Sequence, residues 1–565
     1  MVEFPDRLTE DHQNLLLEIM AAHGYQELRP TQRQAFEAGI LDGGNHLLVA
    51  KTGNGKTFCA ETVAKQTLDA GGRIAYLVPS HNLVNDKANE LEEWAGGEYS
   101  IVQGTYRSGN IVVATFDSFF TAMLRGSGKV TSLDRVILDD FHILYDRHRG
   151  AGLEKAIAAT TENNIPIFAM SATVGNPEEL ANWLNANLIV SDEDRGVEII
   201  EHPLEVDDTR ARKKHVADVV ASHADNAPLL VFNNSRAKCE ARAEEVADRG
   251  IFEDAPSRDI RGELRGLIET AITQKLRDLA RLMDRGVAFH HAGLPRSVRT
   301  WIEECFRDGD VRVIFCTPTL AYGFDSPVQS VVVSELKRYD VEAGYQTYIG
   351  TWEYVQWIGR AARPGMGYDE GHAYALYSDF DEASGRFFGE RELERVTTHM
   401  GSKAELRWLL LELIEMGWEA REALEEFMQK TLLWHQLSSN SSWVKPVGDS
   451  FDNNDPASAY LRDSDLKSQS GAGPPQRLER LRLMLANQAH WLQEYNFIRE
   501  KAITDGFETT ELGSAAVEFN FSTWSSYPLR RVYNLCRRLE SYESFSAIDL
   551  LREMAFLEDG YVPSS

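Results

Sequence analysis

Lys56 and Thr57 end the segment Ala50-Lys-Thr-Gly-Asn-Gly-Lys-Thr57. It follows the apolar run Asn45–Ala50 and precedes the helix-compatible stretch Phe58–Asp69. A strand, a Gly-rich turn and a helix in that order form a phosphate cradle, because backbone N–H groups of the turn and the helix start point at the anion. Thr52, Gly53, Asn54 and Gly55 would line the cradle, and the two glycines let the backbone approach without a Cβ in the way. Lys56 would reach the β- and γ-phosphates, and the Thr57 hydroxyl would hold Mg²⁺. The expected ligand is a nucleoside triphosphate, ATP, with Mg²⁺.

A second constellation lies in Arg135-Val-Ile-Leu-Asp-Asp-Phe-His142. A buried strand here ends in two carboxylates, and strand ends are where open α/β sheets place ligands. Asp139 is expected on the metal and its water shell. Asp140 is expected to orient or deprotonate an attacking water. Read alone, the pair is also compatible with a solvated acidic turn. Ser171-Ala-Thr173 follows another strand, and its hydroxyls are expected to bond the carboxylate and His142 of the preceding loop. The same three residues also suit a helix N-cap. Gln356, Arg360 and Arg363 stand at i, i+4 and i+7, one face of a helix. That face would offer two guanidinium forks to a phosphate across a cleft. By itself the pattern equally describes a salt-bridged surface helix.

The elements that must position these residues are short apolar strands alternating with helical patterns. One set is His46–Ala50, Ile74–Pro79, Ile111–Thr115, Arg135–Asp140 and Ile167–Ser171. A second is Leu229–Asn233, Val287–His290, Arg312–Thr317, Ser330–Ser334 and His372–Tyr377. The alternation predicts two parallel α/β sheets in tandem, covered by helices on both faces. After about residue 395 the pattern turns α-rich, with helical stretches at Lys403–Met416, Glu419–Leu433, Arg477–Ile503 and Arg530–Leu557. Ser438–Gln476, rich in Ser, Asn, Asp, Gly and Pro, reads as a mobile loop.

With 565 residues the chain has room for about three or four domains. Its 43% hydrophobic and 10% aromatic content suits globular cores. No apolar run is long enough to span a membrane. The start of the chain lacks a basic-then-apolar signal, so a cytoplasmic location is expected. Five scattered cysteines without a C-x-x-C pair argue for reduced core thiols and no zinc. Asp and Glu number 87 against 59 Lys and Arg, a net charge of −28, and only 16 of the cations are Lys. Such a surface repels nucleic acid at long range and argues against a simple basic binding module, although an ordinary acidic enzyme with a local basic groove also fits. It also suits a cytoplasm of high salt.

Taken in order, these motifs resemble the superfamily 2 DExH-box helicases, in their superkiller-like branch. The Ala at position 50, where the general phosphate-loop pattern has Gly, is a variant of helicase-like ATPases. Gly24-Tyr-Gln-Glu-Leu-Arg-Pro-Thr-Gln32 resembles the adenine-reading segment, with Gln32 as the base reader. Pro79-Ser-His-Asn-Leu83 resembles motif Ia, and Asp139-Asp-Phe-His142 with Asp146–Gly150 resembles motif II. Ser171–Thr173 is similar to motif III, and His290-His-Ala-Gly-Leu-Pro295 to a segment specific to the branch. Thr317–Pro327 resembles motif V and Gln356–Pro364 motif VI. The likeness covers residues 15–395.

The resemblance implies RecA-like domains at 1–200 and 201–395, a winged-helix-like domain at 396–515 and a C-terminal helical segment at 516–565. The family continues into a helical ratchet, which would here be truncated, replaced or supplied by another chain. The implied activity is ATP-dependent 3′→5′ movement on single-stranded nucleic acid, DNA taken ahead of RNA. Gly323 and Asp325 would join the nucleotide site. Pro79, Ser80, Thr115, His290, His291, Thr317 and Thr319 would contact the strand, although the two histidines read equally as strand-end or structural residues. A hairpin between motifs V and VI would separate strands, using aromatics among Tyr339, Tyr345, Tyr348, Trp352 and Tyr354; a core edge is the alternative. Two rival readings stand beside this: a motor subunit serving a separate nuclease or defence chain, and an ATP-switched clamp with little turnover. Two departures matter. Asp140 replaces the family Glu, one methylene longer, and Ala362 replaces a Gly.

Overall fold

A computed structural model describes residues 4–126, 130, 132–191, 196–206, 212–252, 258–268, 273–321, 328–340, 344–363, 367–378, 380–438, 477–501 and 506–518. Nearly all of the expected loop at 438–476, most of the 516–565 segment and the Arg530–Leu557 helix lie outside the described residues.

The first sheet holds β1 (Asn45–Ala50), β2 (Ile74–Val78), β3 (Ile101–Gln103), β4 (Ile111–Thr115), β5 (Arg135–Leu138), β6 (Ile167–Ser171) and β7 (Ala186–Ser191). Their order is β3-β4-β2-β5-β6-β1-β7, and every pair is parallel. Because β1, β2, β4, β5 and β6 are covered on both faces, they read as unbroken apolar runs. Alternate residues point to opposite sides. Leu48, Tyr76 and Phe168 face the N-terminal helices, whereas Leu47, Ala75 and Leu77 face the other way.

The second sheet has the order β10-β11-β9-β12-β15-β8, again all parallel. Its strands are β8 (Glu198–Glu205), β9 (Leu229–Phe232), β10 (Val287–His290), β11 (Val313–Cys316), β12 (Ser330–Val333) and β15 (Glu370–Tyr377). Between β12 and β15 the chain makes an antiparallel hairpin, β13 (Lys337–Asp340) with β14 (Tyr345–Tyr348). β8 already belongs to this sheet, so the passage between sheets falls between Ser191 and Glu198.

The third region differs from its sequence pattern in two places. The stretch expected to be one helix from Glu419 to Leu433 is two, Arg421–Met428 and Leu432–Ser438. At the junction the Thr431 hydroxyl donates to Met428 O and accepts from Trp434 N–H, which ends one helix and caps the next. The helix expected over Arg477–Ile503 stops at Glu494. Asn496 then takes a left-handed φ of 58°, and β16 (Ile498–Glu500) pairs with β17 (Phe507–Thr509).

This region shares one continuous core with the outer face of the first sheet. Helix Arg147–Glu162 lies at the seam. Glu154 accepts from Leu433 N–H and from the Thr398 hydroxyl, both at 2.8 Å, and Lys155 pairs with Glu412 at 3.1 Å. Trp183 donates to Lys430 O at 3.0 Å. A buried donor left unpaired costs about 1–3 kcal/mol, so the Glu154 carboxylate specifies this docking beyond its area. Among the described residues no helix is long and apolar enough to cross a membrane.

Candidate active site

Three loops at the carboxyl ends of the adjacent strands β5, β6 and β1 build the first wall of the site. After β1, Gly53 and Gly55 take φ of 91° and 78°, a region closed to most side chains, and Gly55 caps helix Lys56–Asp69. The Lys56 ammonium donates to Ala50 O at 2.8 Å and Lys51 O at 3.0 Å. Burial, and then the nearby charge of Arg363, lower its pKa to about 8, against the pull of Asp140 and Asp139. Thr57 sits in the first helical turn, Asn54 is buried and Thr52 is half-buried. Gln32 is buried at the start of helix Pro30–Glu37. Its carbonyl accepts from Arg29 N–H at 2.8 Å and its amide donates to Gly55 O at 3.3 Å. Arg29 itself donates to Gly53 O. The segment around Gln32 is therefore tied directly to the phosphate loop.

After β5, the Asp139 carboxylate accepts from the Tyr76 hydroxyl at 3.1 Å and from Asp140 N–H at 2.9 Å. Burial and then the charge of Asp140 push its pKa up, while Lys87 opposes them. Asp140 has a φ of 53°, a left-handed position that Asp tolerates better than most residues, and it caps the turn Phe141–Tyr145. His142 is buried, and desolvation followed by the charge of Lys56 hold its pKa at about 3. Its ring is therefore neutral. Nδ1 accepts from Ala172 N–H at 3.3 Å, which leaves the proton on Nε2, 3.9 Å from the Asp140 carboxylate. The link from the Asp139–His142 loop to the Ser171–Thr173 loop thus runs through a backbone N–H. The Ser171 hydroxyl is buried without a partner among the described residues, and Thr173 is exposed.

The second sheet supplies the opposite wall. Gln356 and the charge of Arg360 bear on the His142 ring, and the charge of Arg363 bears on Lys56. The structure brings Lys56, Asp139, Asp140, His142, Gln356, Arg360 and Arg363 together. It corrects the expectation of one helical face. Helix Thr351–Ile358 ends before the arginines, with Gly359 as its C-cap, and Ala362 then bends the chain at a φ of 41°. A left-handed residue costs roughly 1–2 kcal/mol when it carries a Cβ, so Ala362 loads the backbone as well as the packing.

The residues expected to meet a strand are placed as follows. Pro79 is buried and Ser80 starts helix His81–Ala95. Thr115 caps helix Phe116–Leu124 through Ser118 N–H. His290 and His291 are buried, bonded to Glu303 at 2.8 Å and Glu240 at 2.9 Å. Thr317 N–H donates to His290 O at 3.2 Å, and Thr319 lies in the turn Pro318–Ala321. Gly323 and Asp325 lie outside the described residues. Of the hairpin aromatics, Tyr339 and Tyr345 are exposed, Tyr354 is core, Tyr348 lies under Lys337, and Trp352 turns inward onto Tyr145. The sequence reading missed Tyr76 and Lys87 behind Asp139. The available signal was one tyrosine in the otherwise aliphatic strand Ile74–Val78.

Comparison with known proteins finds helicase segments in both sheet-bearing regions. Residues 29–180 match the DEAD/DEAH box helicase family and residues 260–365 match the helicase conserved C-terminal domain. The ATP-dependent DNA helicase Hel308 of Pyrococcus abyssi is 32% identical over 440 residues, covering 74% of this chain and 60% of that protein. The protein of the same name from Pyrococcus horikoshii is 32% identical over 441 residues, with the same shares of 74% and 60%. The chain thus spans about 60% of the length of these relatives. With both matches in order along the chain, on two all-parallel sheets, residues 29–365 carry the paired domains of a superfamily 2 helicase.

Proposed function

We propose that this protein hydrolyses ATP between its two RecA-like domains and uses the cycle to move 3′→5′ along single-stranded nucleic acid, DNA ahead of RNA, opening duplexes as it goes. The observation that carries this reading is the meeting of Lys56, the Asp139–Asp140 pair and Arg360 from three separate segments. The DNA helicases named above, to which the chain is similar, support the substrate class.

The loop glycines and the start of helix Lys56–Asp69 bind the triphosphate, and Lys56 neutralises its charge. The oxygen donors of Thr57 and Asp139 fit a hard cation, and Mg²⁺ when bound would neutralise the phosphate oxygens. Asp140 orients the attacking water, with the neutral His142 ring beside it. Arg360 and Arg363 present charge to the phosphate from the second domain. The two helices Lys403–Glu415 and Arg477–Glu494 with the β16–β17 hairpin form a winged-helix-like unit. Tyr339 and Tyr345 on the β13–β14 hairpin are placed to stack on bases, a contact worth ~1–3 kcal/mol per base. The buried thiols of Cys59, Cys239, Cys305 and Cys316 suit a cytoplasmic location.

The decisive experiment measures ATP hydrolysis with matched DNA and RNA single strands, and unwinding of a 3′-tailed duplex. Hydrolysis that no strand stimulates would sink the reading. In the same assay Asp140→Asn is expected to lower stimulated turnover at least tenfold, within the ~10²–10⁴ of a positioned base. Wild-type turnover in that variant would favour an ATP-switched clamp. Asp140→Glu is expected to remain active but slower, since the longer side chain suits a left-handed position less well.

The excess of 87 acidic over 59 basic residues further leads us to expect a halophilic protein. Its melting temperature should rise between low and molar KCl as carboxylate repulsion is screened. A fall over that range would refute the premise.

A further inference from the structure

Tyr145 stands six positions beyond Asp139 and joins parts of the molecule that the chemistry above leaves unconnected. Its hydroxyl accepts from Gly175 N–H at 2.9 Å, just past the Ser171–Thr173 loop, and donates to the backbone carbonyl of Glu394. Its ring stacks on Trp352, centroids 5.2 Å apart and planes 9° apart. Trp352 belongs to the first turn of helix Thr351–Ile358, whose far end leads into Arg360. The Glu394 carboxylate accepts from Thr351 N–H at 2.6 Å and Trp352 N–H at 3.2 Å and pairs with Arg386 at 3.1 Å. An anion there suits the positive end of the helix and satisfies donors that the helix cannot.

Glu394 also lies on the segment that runs from the second sheet to the third region. That segment is held to the first domain by Arg395 on Glu179 and by Val396 N–H on Asn176 at 2.8 Å. A Cβ on Gly175 would meet Leu393 O at 2.5 Å, so only glycine admits the segment this close. One residue therefore has its backbone on the first domain and its side chain on the helix that delivers Arg360.

We propose that Tyr145, Trp352 and Glu394 are positioning residues, a relay that sets Arg360 against Asp140 and makes hydrolysis answer to the segment entering the third region. The relay rests on the ATP-hydrolysing reading above. Displacement of about 1 Å at a reacting group can cost on the order of 10²-fold in rate, so small shifts of this helix are sufficient.

The test uses the full chain. Trp352→Leu is expected to lower strand-stimulated kcat about tenfold with KM for ATP within about twofold, the pattern of a lost transition-state interaction. Trp352→Phe, which keeps a stacking ring, should restore most of the rate. Without nucleotide or strand, Glu394→Gln should speed amide hydrogen exchange across residues 350–358 and leave residues 56–69 unchanged. Equal losses in the Leu and Phe variants, a loss appearing in KM, a rate that merely follows a lowered Tm, or unchanged exchange at 350–358 overturns the relay. Absence of strand-stimulated turnover in the unmodified chain overturns the functional reading instead, and the exchange result then decides the relay by itself.

Discussion

Arg360→Ala is expected to leave ATP binding nearly unchanged and to lower strand-stimulated hydrolysis by on the order of 10³-fold or more, the range of arginine fingers in related NTPases. Arg360 is buried, it follows the Gly359 cap, and its charge reaches the His142 ring on the other wall. It is thus a group from the second domain whose charge reaches the Asp139–His142 loop of the first. Arg360→Lys keeps the charge but not the planar fork and should recover little of the rate. Single-turnover hydrolysis beside equilibrium binding of a fluorescent ATP analogue separates the two effects. A variant that loses affinity while keeping its turnover would assign Arg360 a ground-state role.

Lys56→Ala should bring turnover below detection while the melting temperature stays within a few degrees. Among the described residues the ammonium bonds the carbonyls of Ala50 and Lys51, with Asp140 and Asp139 attracting it and Arg363 repelling it. Its removal therefore ends the attraction of Asp140 and Asp139 together with the repulsion from Arg363, and empties no core. Its absence is felt when triphosphate charge needs neutralising at the cradle. Normal turnover in the folded variant would refute the assignment, and a collapse of the melting curve would show that Lys56 is structural.

Much of this site was legible because its chemistry is local. The phosphate loop needs only a strand, two glycines and a helix start in succession, and Asp139 and Asp140 need only the end of an apolar strand. The two parallel sheets could be read for the same reason, since strands covered on both faces cannot hide their apolar runs. What escaped was edge-like or long-range. β8 carries Pro203 and three glutamates along Glu198–Glu205 and sits at the rim of its sheet, where an apolar run is not required. The Ala172 N–H that binds His142 belongs to a backbone and leaves no mark on residue types. The end of helix Thr351–Ile358 was missed because the i, i+4, i+7 spacing continues past the point where Gly359 stops the helix. The charges of Glu154 and Lys155 look like a solvated helix face until the third region covers them.

That covering has a mechanical consequence. Three regions follow one another along the chain, but a core shared without interruption cannot shear without exposing it to water, so the outer two move as a single piece. In the ATP cycle proposed above, the second domain would then be the moving jaw, closing on an anvil made of the first domain and the third region docked behind it. A strand held by both jaws would be pulled relative to that anvil, and the travel of one step would be set by how far the second domain swings about the short tether at Glu394.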